Sequence, residues 1–175
     1  MKSKLFLTLF LSLGFSHFLL SQERSSVVLE KAFQQAKSEN KNVLLIFHAS
    51  WCGWCKKMDN NINDKACKDL FDRNFVITHL TVLESEQNKQ LENPGANDLF
   101  NQYSGGNTGI PFWLVFDGDG KLLRKSVDEN GSNLGCPANE DEVATLIDIL
   151  KETTDLNASE LQIIKNKFLI KENEG

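Results

Sequence analysis

Proline and glycine are scarce in this chain, at 3 and 11 of its 175 residues. Long proline-rich or glycine-rich linkers are therefore excluded, and the length fits one domain with a short additional segment. A basic cluster is also missing, since 19 Lys and Arg stand against 24 Asp and Glu, for a formal net charge of -5. Because nucleic-acid binding requires a positive face, we expect no nucleic-acid partner.

Cysteine is limited to 4 residues, which is too few for a disulfide scaffold but enough for redox chemistry or a metal site. Two motifs of well-understood chemistry are absent from the chain, a glycine-rich phosphate-binding loop and His-Glu-x-x-His. The sequence thus gives no reason to expect a cofactor or a resident metal ion. The candidate chemistry lies with the cysteines.

The first 21 residues have the pattern of a secretory signal peptide. Lys2 and Lys4 form a basic start, and the run Leu5–Leu20 is dominated by Leu and Phe. Polar residues interrupt this run, so it falls short of the 18 or more apolar residues of a membrane-spanning helix. An uncleaved anchor is the alternative. We expect residues 1–21 to be removed and the remaining chain to work outside the cytosol, where disulfides persist.

Hydrophobic periodicity along residues 22–175 alternates between helical and extended patterns. Helices are predicted at 27–38, 52–58, 64–73, 96–103, 140–151 and 158–168, with Asn60-Asn61 as a break, and strands at 43–47, 75–83, 112–116 and 121–127. A strand–helix–strand unit requires a right-handed parallel crossover, and a hairpin adds antiparallel strands. The prediction is an α/β fold with a central mixed β-sheet flanked by helices on both faces.

The segment Trp51-Cys52-Gly53-Trp54-Cys55-Lys56 follows a predicted buried strand and opens a helix. Cysteines three positions apart in a first helical turn lie on the same side, within the distance that a disulfide tolerates. A helix N-terminus favours an anion and lowers the pKa of a thiol there. We therefore predict that Cys52 is the nucleophilic thiolate and that Cys55 resolves the mixed disulfide.

The residues around the two cysteines have predicted supporting roles. Gly53 keeps access to the sulfur open, and Lys56 adds positive charge nearby. Trp51 and Trp54 form an apolar rim that holds a substrate backbone, although either indole could instead be a packing residue. A static structural disulfide and a metal site built on the same cysteines are the alternatives for the pair.

The buried strand, the Trp-Cys-Gly-Trp-Cys-Lys motif and a later Gly109-Ile110-Pro111-Phe112 together resemble the thioredoxin superfamily. The resemblance covers about Val27–Leu150 and is nearest to the secreted thioredoxin-like proteins of bacterial envelopes. It implies a thioredoxin-like fold for 22–175, a single domain with an extra C-terminal helix. It also implies thiol–disulfide oxidoreductase activity of the protein-disulfide reductase or isomerase type, in the periplasm.

The same resemblance implies partners and a binding edge. Substrates would be disulfide-containing exported proteins, and a membrane or soluble thiol donor would supply electrons. The Ile110–Pro111 bond would be cis and face the two sulfurs. The Ile110 backbone N–H and C=O would then pair with an extended substrate segment. A non-catalytic client-binding module and a metal carrier remain alternative functions.

The chain departs from the resemblance in the strand before the motif. Cytosolic thioredoxins carry a buried acid six residues ahead of the first cysteine, and Ile46 occupies that position here. Water or a side chain such as Glu84 could replace the missing proton acceptor. By strand alternation His48 lies on the same side as Ile46 and could tune Cys55, although a histidine without catalytic duty is favoured.

The other two cysteines have weaker patterns. Cys67 shares an apolar helical face with Leu70 and Phe71, so a packed core thiol is favoured. Cys136 lies in a predicted loop before a helix, and we expect a surface or semi-buried residue, with a third redox thiol as an alternative. A disulfide between Cys67 and Cys136 would be geometrically awkward.

Overall fold

A computed structural model describes residues 22–106 and 108–170. The predicted signal peptide, residues 1–21, lies outside the described residues. None of the helices in the described part of the chain combines the length and the apolar character needed to cross a membrane.

Helices and strands alternate through most of the described chain. In chain order they are α1 (Ser25–Glu39), β1 (Asn42–His48), α2 (Gly53–Ile62), α3 (Lys68–Asp72), β2 (Phe75–Thr81), a 3-10 helix (Glu86–Leu91), α4 (Ala96–Ser104), β3 (Phe112–Phe116), β4 (Leu122–Lys125), α5 (Glu140–Thr153) and α6 (Ala158–Phe168). The last helix has the predicted bounds. The segment predicted as an irregular loop after β2 contains the 3-10 helix.

The four strands form one mixed sheet in the order β2-β1-β3-β4. β1 pairs parallel with β2 and antiparallel with β3, and β3 pairs antiparallel with β4. Side chains of β1 alternate between two apolar clusters, so that Ile46 packs with α2, α5 and α6, and Phe47 packs with α1 and α4. Helices therefore cover both faces of the sheet, which confirms the predicted α/β architecture.

The predicted helix break at Asn60-Asn61 is wrong, because α2 continues through both residues to Ile62. Met58 and Ile62 lie one turn apart and are both buried in the cluster under α2. Burial of this apolar face outweighs the weak helix propensity of asparagine. The following helix is shorter than predicted, since Asp64 accepts a hydrogen bond from the Ala66 N–H at 3.0 Å and α3 begins only at Lys68.

Both C-terminal helices begin with a reciprocal cap. In α5 the Asn139 side chain accepts from the Glu142 N–H, and in α6 the Asn157 side chain accepts from the Glu160 N–H. Each glutamate returns a contact to the capping residue, which satisfies two otherwise unpaired donors. The cap at Asn139 fixes the point where the long loop after β4 re-enters the core beside the cysteine motif.

Candidate redox-active site

Cys52 and Cys55 form a disulfide at the N-terminus of α2, with an S–S distance of 2.05 Å and a Cα–Cα distance of 5.3 Å. Cys52 is the capping residue of the helix, and its Sγ accepts the Cys55 N–H at 3.1 Å. The helix therefore directs a backbone donor and its positive end at this sulfur. After reduction the same groups would stabilise a thiolate on Cys52 rather than on Cys55.

The two sulfurs lie at the bottom of an opening bordered by indoles. Cys52 and Cys55 are 3% and 2% exposed, whereas Trp51 and Trp54 are 59% and 52% exposed. A Cβ placed on Gly53 would meet no atom within 4 Å. Gly53 therefore leaves space next to Cys52, and the two exposed aromatic side chains beside the cysteines in the chain offer apolar surface to an approaching chain.

Ile110 lies directly against the disulfide, and Pro111 follows it in the chain. Their peptide bond is cis, as the resemblance implied. The Ile110 carbonyl oxygen is 3.6 Å from Sγ of Cys52. Within the described residues, no backbone or side-chain acceptor takes the Ile110 N–H. The backbone of Ile110 thus offers a donor and an acceptor beside the sulfur that we predict to be the nucleophile.

Glu84 holds the turn that leads into Cys52. Its carboxylate accepts the Ser50 backbone N–H at 2.5 Å and the Ser50 hydroxyl at 2.8 Å. The Trp51 indole N–H donates to the Leu83 carbonyl at 2.9 Å, and Leu83 adopts a left-handed backbone with φ 53°. Glu84 is only 4% exposed, so a buried carboxylate and its neighbour together fix Ser50 and Trp51.

Sequence reasoning named Glu84 only as one substitute for the missing proton acceptor and missed its contacts with Ser50. The available signal was an acid placed directly after an apolar strand, close to the point where parallel strands β1 and β2 both end. The position of the family's buried acid is filled by Ile46, which is buried in the apolar cluster under α2.

His48 belongs to a small ionisable cluster beside this turn. Its Nε2 lies 3.2 Å from Thr81 Oγ1, and its ring centroid is 5.0 Å from that of His79. His79 Nε2 in turn lies 2.9 Å from the Asp59 carboxylate of α2. Burial lowers the pKa of His48 and the neighbouring His79 lowers it further, while the carboxylates of Asp59 and Glu84 act in the opposite direction. Tuning of Cys55 by His48 stays a prediction.

Asn133, in the loop between β4 and α5, holds the other side of the disulfide. Its side-chain amide donates to the carbonyls of Gly109 at 2.9 Å and Pro111 at 3.0 Å. These two carbonyls flank Ile110. The sequence predicts no helix or strand between 127 and 140 and does not single out Asn133, since one asparagine among several polar residues carries no distinguishing signal.

A groove of about 1040 Å³ opens beside the disulfide. Trp54, Ile110 and Pro111 line one wall, and Leu169 and Ile170 line another. The chain after α6 is fixed there because the Ile170 N–H donates to the Ala138 carbonyl at 2.9 Å. The groove is therefore continuous with the surface around the cysteine pair.

Cys136 also lines this groove but is only 5% exposed, so the expectation of a surface or semi-buried residue is wrong. It packs into the same apolar cluster as Cys67, whose predicted role as a packed core thiol is confirmed. Both are free thiols. Burial raises the pKa of Cys136 to about 12 and that of Cys67 to about 11, against an ordinary value of 9.0. Neither is poised to ionise at neutral pH.

Potential metal ligands are dispersed in the described part of the chain. Across residues 22–106 and 108–170, no three His, Cys, Asp or Glu side chains are grouped so that they could hold a metal ion.

Comparison with known proteins places this geometry in a family. Residues 25–118 match a family model described as thioredoxin-like. The protein disulfide isomerase-like 1-1 of Arabidopsis thaliana is 29% identical over 108 residues, which are 60% of this chain and 21% of that protein. This chain thus aligns with about a fifth of that relative's length.

Two solved structures are similar in shape at low identity. A disulphide isomerase from Xylella fastidiosa Temecula1 has a TM-score of 0.49 and 20% identity, covering 90% of this chain and 95% of that one. The oxidised C-terminal domain of Neisseria meningitidis DsbD has a TM-score of 0.41 and 26% identity, covering 59% and 84%. Because the family match spans more than half of the sequence and includes Cys52, Cys55 and Pro111, the chain belongs to the thioredoxin-like family.

Proposed function

We propose that this chain is a thiol–disulfide oxidoreductase of the protein-disulfide reductase or interchange type, acting through Cys52 and Cys55. The observation that carries the proposal is the position of the Cys52 sulfur. It caps a helix, accepts the Cys55 N–H at 3.1 Å and lies 3.6 Å from the Ile110 carbonyl. A thiolate held in this way is a nucleophile with a resolving thiol one turn away.

In the reduced protein the Cys52 thiolate attacks one sulfur of a substrate disulfide. A new S–S bond forms to Cys52, the substrate S–S bond breaks, and the second substrate sulfur leaves as a thiolate. Cys55 then loses its proton to water and attacks Sγ of Cys52, which re-forms the internal disulfide and releases the first substrate sulfur. Two electrons pass to the substrate, whose thiolates take up protons from water. A thiol donor must reduce the pair before the next cycle.

The substrate is a polypeptide in an extended conformation beside its cysteine. Trp51 and Trp54 supply exposed apolar surface on either side of the sulfurs, and Gly53 leaves room between them. Ile110 supplies a backbone N–H and C=O for strand-like pairing, and Pro111 contributes to the wall of the adjoining groove. This assigns substrate binding to Trp51, Gly53, Trp54, Ile110 and Pro111.

The clients are exported proteins that contain disulfides, and the place of action is the periplasm. The basic start and the Leu- and Phe-rich run of residues 1–21 support this assignment. A membrane-bound or soluble thiol protein is the electron donor. An export test follows directly: the chain should be recovered from a periplasmic extract without residues 1–21, and recovery in the cytosol at full length would contradict it.

The activity is tested by reduction of insulin disulfides in the presence of dithiothreitol. Cys52→Ser should lose catalysed turnover, and Cys55→Ser should accumulate a mixed disulfide through Cys52. Cys67→Ser is the matched control, since Cys67 is a core thiol away from the pair, and it should keep wild-type turnover. Equal rates for wild type and Cys52→Ser would sink the proposal.

A non-catalytic client-binding module is the second candidate, and the exposure of Trp51 and Trp54 favours it. This function predicts that an unfolded client binds equally well to wild type and to a variant with both Cys52 and Cys55 replaced by serine. The oxidoreductase proposal predicts instead that Cys55→Ser is trapped with the client as a mixed disulfide through Cys52, a species that a non-catalytic binding module does not form. Trapping is measured by non-reducing electrophoresis after a thiol quench.

A further inference from the structure

We infer that Asn133 is a positioning residue, which fixes the polypeptide-binding edge Gly109–Pro111 against the Cys52 sulfur. The inference rests on the proposed function and extends it to a residue outside the cysteine motif. Its consequence is selective: Asn133 sets the affinity for disulfides carried on a polypeptide and leaves the reaction of the sulfur with small disulfides unchanged.

The geometry of the amide defines its role. The Asn133 Nδ2 atom donates one hydrogen to the Gly109 carbonyl, with an N–O distance of 2.9 Å, and the other to the Pro111 carbonyl, with an N–O distance of 3.0 Å. One side chain thereby ties together the residues immediately before and after Ile110. The Ile110 backbone is held between these two anchor points, with its carbonyl 3.6 Å from the Cys52 sulfur.

The amide is itself held in one orientation. The Trp113 N–H donates to Ser126 Oγ at 2.9 Å, so the Ser126 hydroxyl hydrogen is directed to Asn133 Oδ1, also at 2.9 Å. The Gly135 N–H donates to the same Oδ1 at 3.2 Å. Since Oδ1 receives two donors, Nδ2 must face the two carbonyls. Ser126 directly follows β4 and is fully buried, and its own N–H donates to the Trp113 carbonyl at 2.9 Å, so the support is tied to β3.

The loop that carries these residues lies beyond the thioredoxin-like match, which ends at residue 118. The binding edge inside the matched region is thus positioned by a segment outside it. An extended polypeptide would pair with the Ile110 N–H and C=O, and this pairing depends on where the edge lies. A small disulfide has no such segment and requires only the sulfur.

The test compares two disulfide substrates in Asn133→Ala and in the matched control Asn130→Ala. Asn130 lies in the same loop with an exposed side chain. For insulin, Asn133→Ala should raise KM about tenfold, because the hydrogen bonds that order the edge are lost. Its kcat should stay within about twofold of wild type. For bis(2-hydroxyethyl) disulfide the rate should stay within about twofold of wild type, and Asn130→Ala should match wild type on both.

Asn133→Ser gives a second, milder variant, whose hydroxyl keeps one donor and should give an intermediate KM. Hydrogen exchange adds a direct reading. The Trp113 N–H donates to Ser126 Oγ, which Asn133 holds, so in Asn133→Ala this amide should exchange faster while those of β1 keep wild-type rates. An unchanged insulin KM, or an equal loss on both substrates, overturns the inference. Failure of the proposed function is distinguishable from failure of this inference, because the wild-type protein itself would then turn over neither substrate.

Discussion

The disulfide is held from two sides by different chemistry. On one side lies an ionisable cluster, defined as His48, Asp59, His79 and Glu84, in which the Glu84 carboxylate fixes the turn before Cys52. On the other side the Asn133 amide and the Ser126 hydroxyl, which carry no charge, fix the edge at Ile110. We refer to these as the ionisable side and the neutral side.

The difference separates two tasks that a redox site must perform. A charge near a thiolate changes its free energy, whereas a neutral amide that binds carbonyls fixes backbone position and barely alters the electrostatic potential. The ionisable side should therefore govern the pKa and reduction potential of the cysteine pair. The neutral side should govern how a polypeptide is held, and variants on the two sides should change different measurements.

The largest expected effect is on stability, from Glu84→Ala. This change removes the acceptor of two hydrogen bonds to a buried carboxylate, and bonds to charged groups contribute about twice as much as neutral ones. We expect the free energy of unfolding to fall by about 3 kcal/mol for the two bonds of Glu84, against about 2 kcal/mol for the four weaker, neutral bonds lost in Asn133→Ala. Urea denaturation monitored by tryptophan fluorescence gives both values.

Glu86→Ala is the matched control for that measurement, because Glu86 is an exposed glutamate two residues further on. It should change the free energy of unfolding by less than about 0.5 kcal/mol. If Asn133→Ala lowered the free energy of unfolding as much as Glu84→Ala, or more, the two sides would not differ in stability as expected.

The next effect is on the reduction potential, from Glu84→Gln. The amide keeps one acceptor for the Ser50 N–H and can donate to the Ser50 hydroxyl, so the turn persists without the negative charge. The Cys52 thiolate should become more stable, which lowers its pKa and makes the pair more oxidising, by about 15 mV. Equilibration against a glutathione series measures the potential, and the pH dependence of iodoacetamide labelling measures the pKa.

Asn133→Ala provides the comparison on the neutral side and should leave both quantities at their wild-type values. If Asn133→Ala shifted the reduction potential by the same amount, the position of the backbone beside Cys52, and not the nearby charge, would determine the potential. A shift of Glu84→Gln toward a more reducing pair would contradict the electrostatic assignment of the ionisable side.

A smaller effect concerns pH and comes from His48. Burial and the nearby His79 lower the pKa of His48 below its ordinary value of 6.5. Between the lowered pKa of the folded state and about 6.5, the unfolded chain therefore binds a proton at His48 more readily than the folded chain does. The free energy of unfolding accordingly decreases as the pH falls through this range. His48→Gln should flatten this decline in a series of thermal unfolding curves from pH 8 to pH 5.

Asn133→Ala should show the wild-type decline, since the neutral side contributes no titrating group. The groups that face His48 are Thr81, His79, Asp59 and Glu84. An identical decline in His48→Gln and wild type would contradict the assignment of the pH dependence to His48.

The parts of the site that sequence could predict are those fixed by local pattern. The apolar run of β1, the spacing of Cys52 and Cys55, and the start of α2 all lie within about a dozen consecutive residues. Helix capping and strand burial are decided over that range, so the residue pattern predicts where the strand ends and where the helix begins. The break at Asn60-Asn61 was predicted wrongly for the complementary reason, since burial of Met58 and Ile62 is decided by tertiary packing.

The two supports of the disulfide could not be predicted in this way. Glu84 meets Ser50 across 34 residues, and Asn133 meets Pro111 across 22 residues. Such pairs form between loops. Loops have no periodic hydrophobic pattern from which the direction of a side chain could be predicted. Their chemistry is also unspecific, because most loops contain an acid or an asparagine.

The smallest expected effect concerns Cys136, which lines the groove on the neutral side. Its thiol has a pKa raised to about 12 by burial, so almost none of it is thiolate at pH 8. In the reduced native protein, iodoacetamide should label Cys52 first and leave Cys136 unlabelled, and Cys136→Ala should change insulin turnover less than about twofold. Mass spectrometry of peptides after a timed quench measures the labelling.

The unfolded protein in 6 M guanidinium chloride is the control for that labelling, since all four cysteines should then react at similar rates. Labelling of native Cys136 as fast as Cys52 would mean that the neutral side also presents a reactive thiol. Cys52 Sγ accepts the Cys55 N–H, whereas the Cys136 sulfur faces the Pro137 carbonyl. Fast labelling of Cys136 would therefore also show that the loop holding Asn133 opens readily, and the separation of the two sides would then fail.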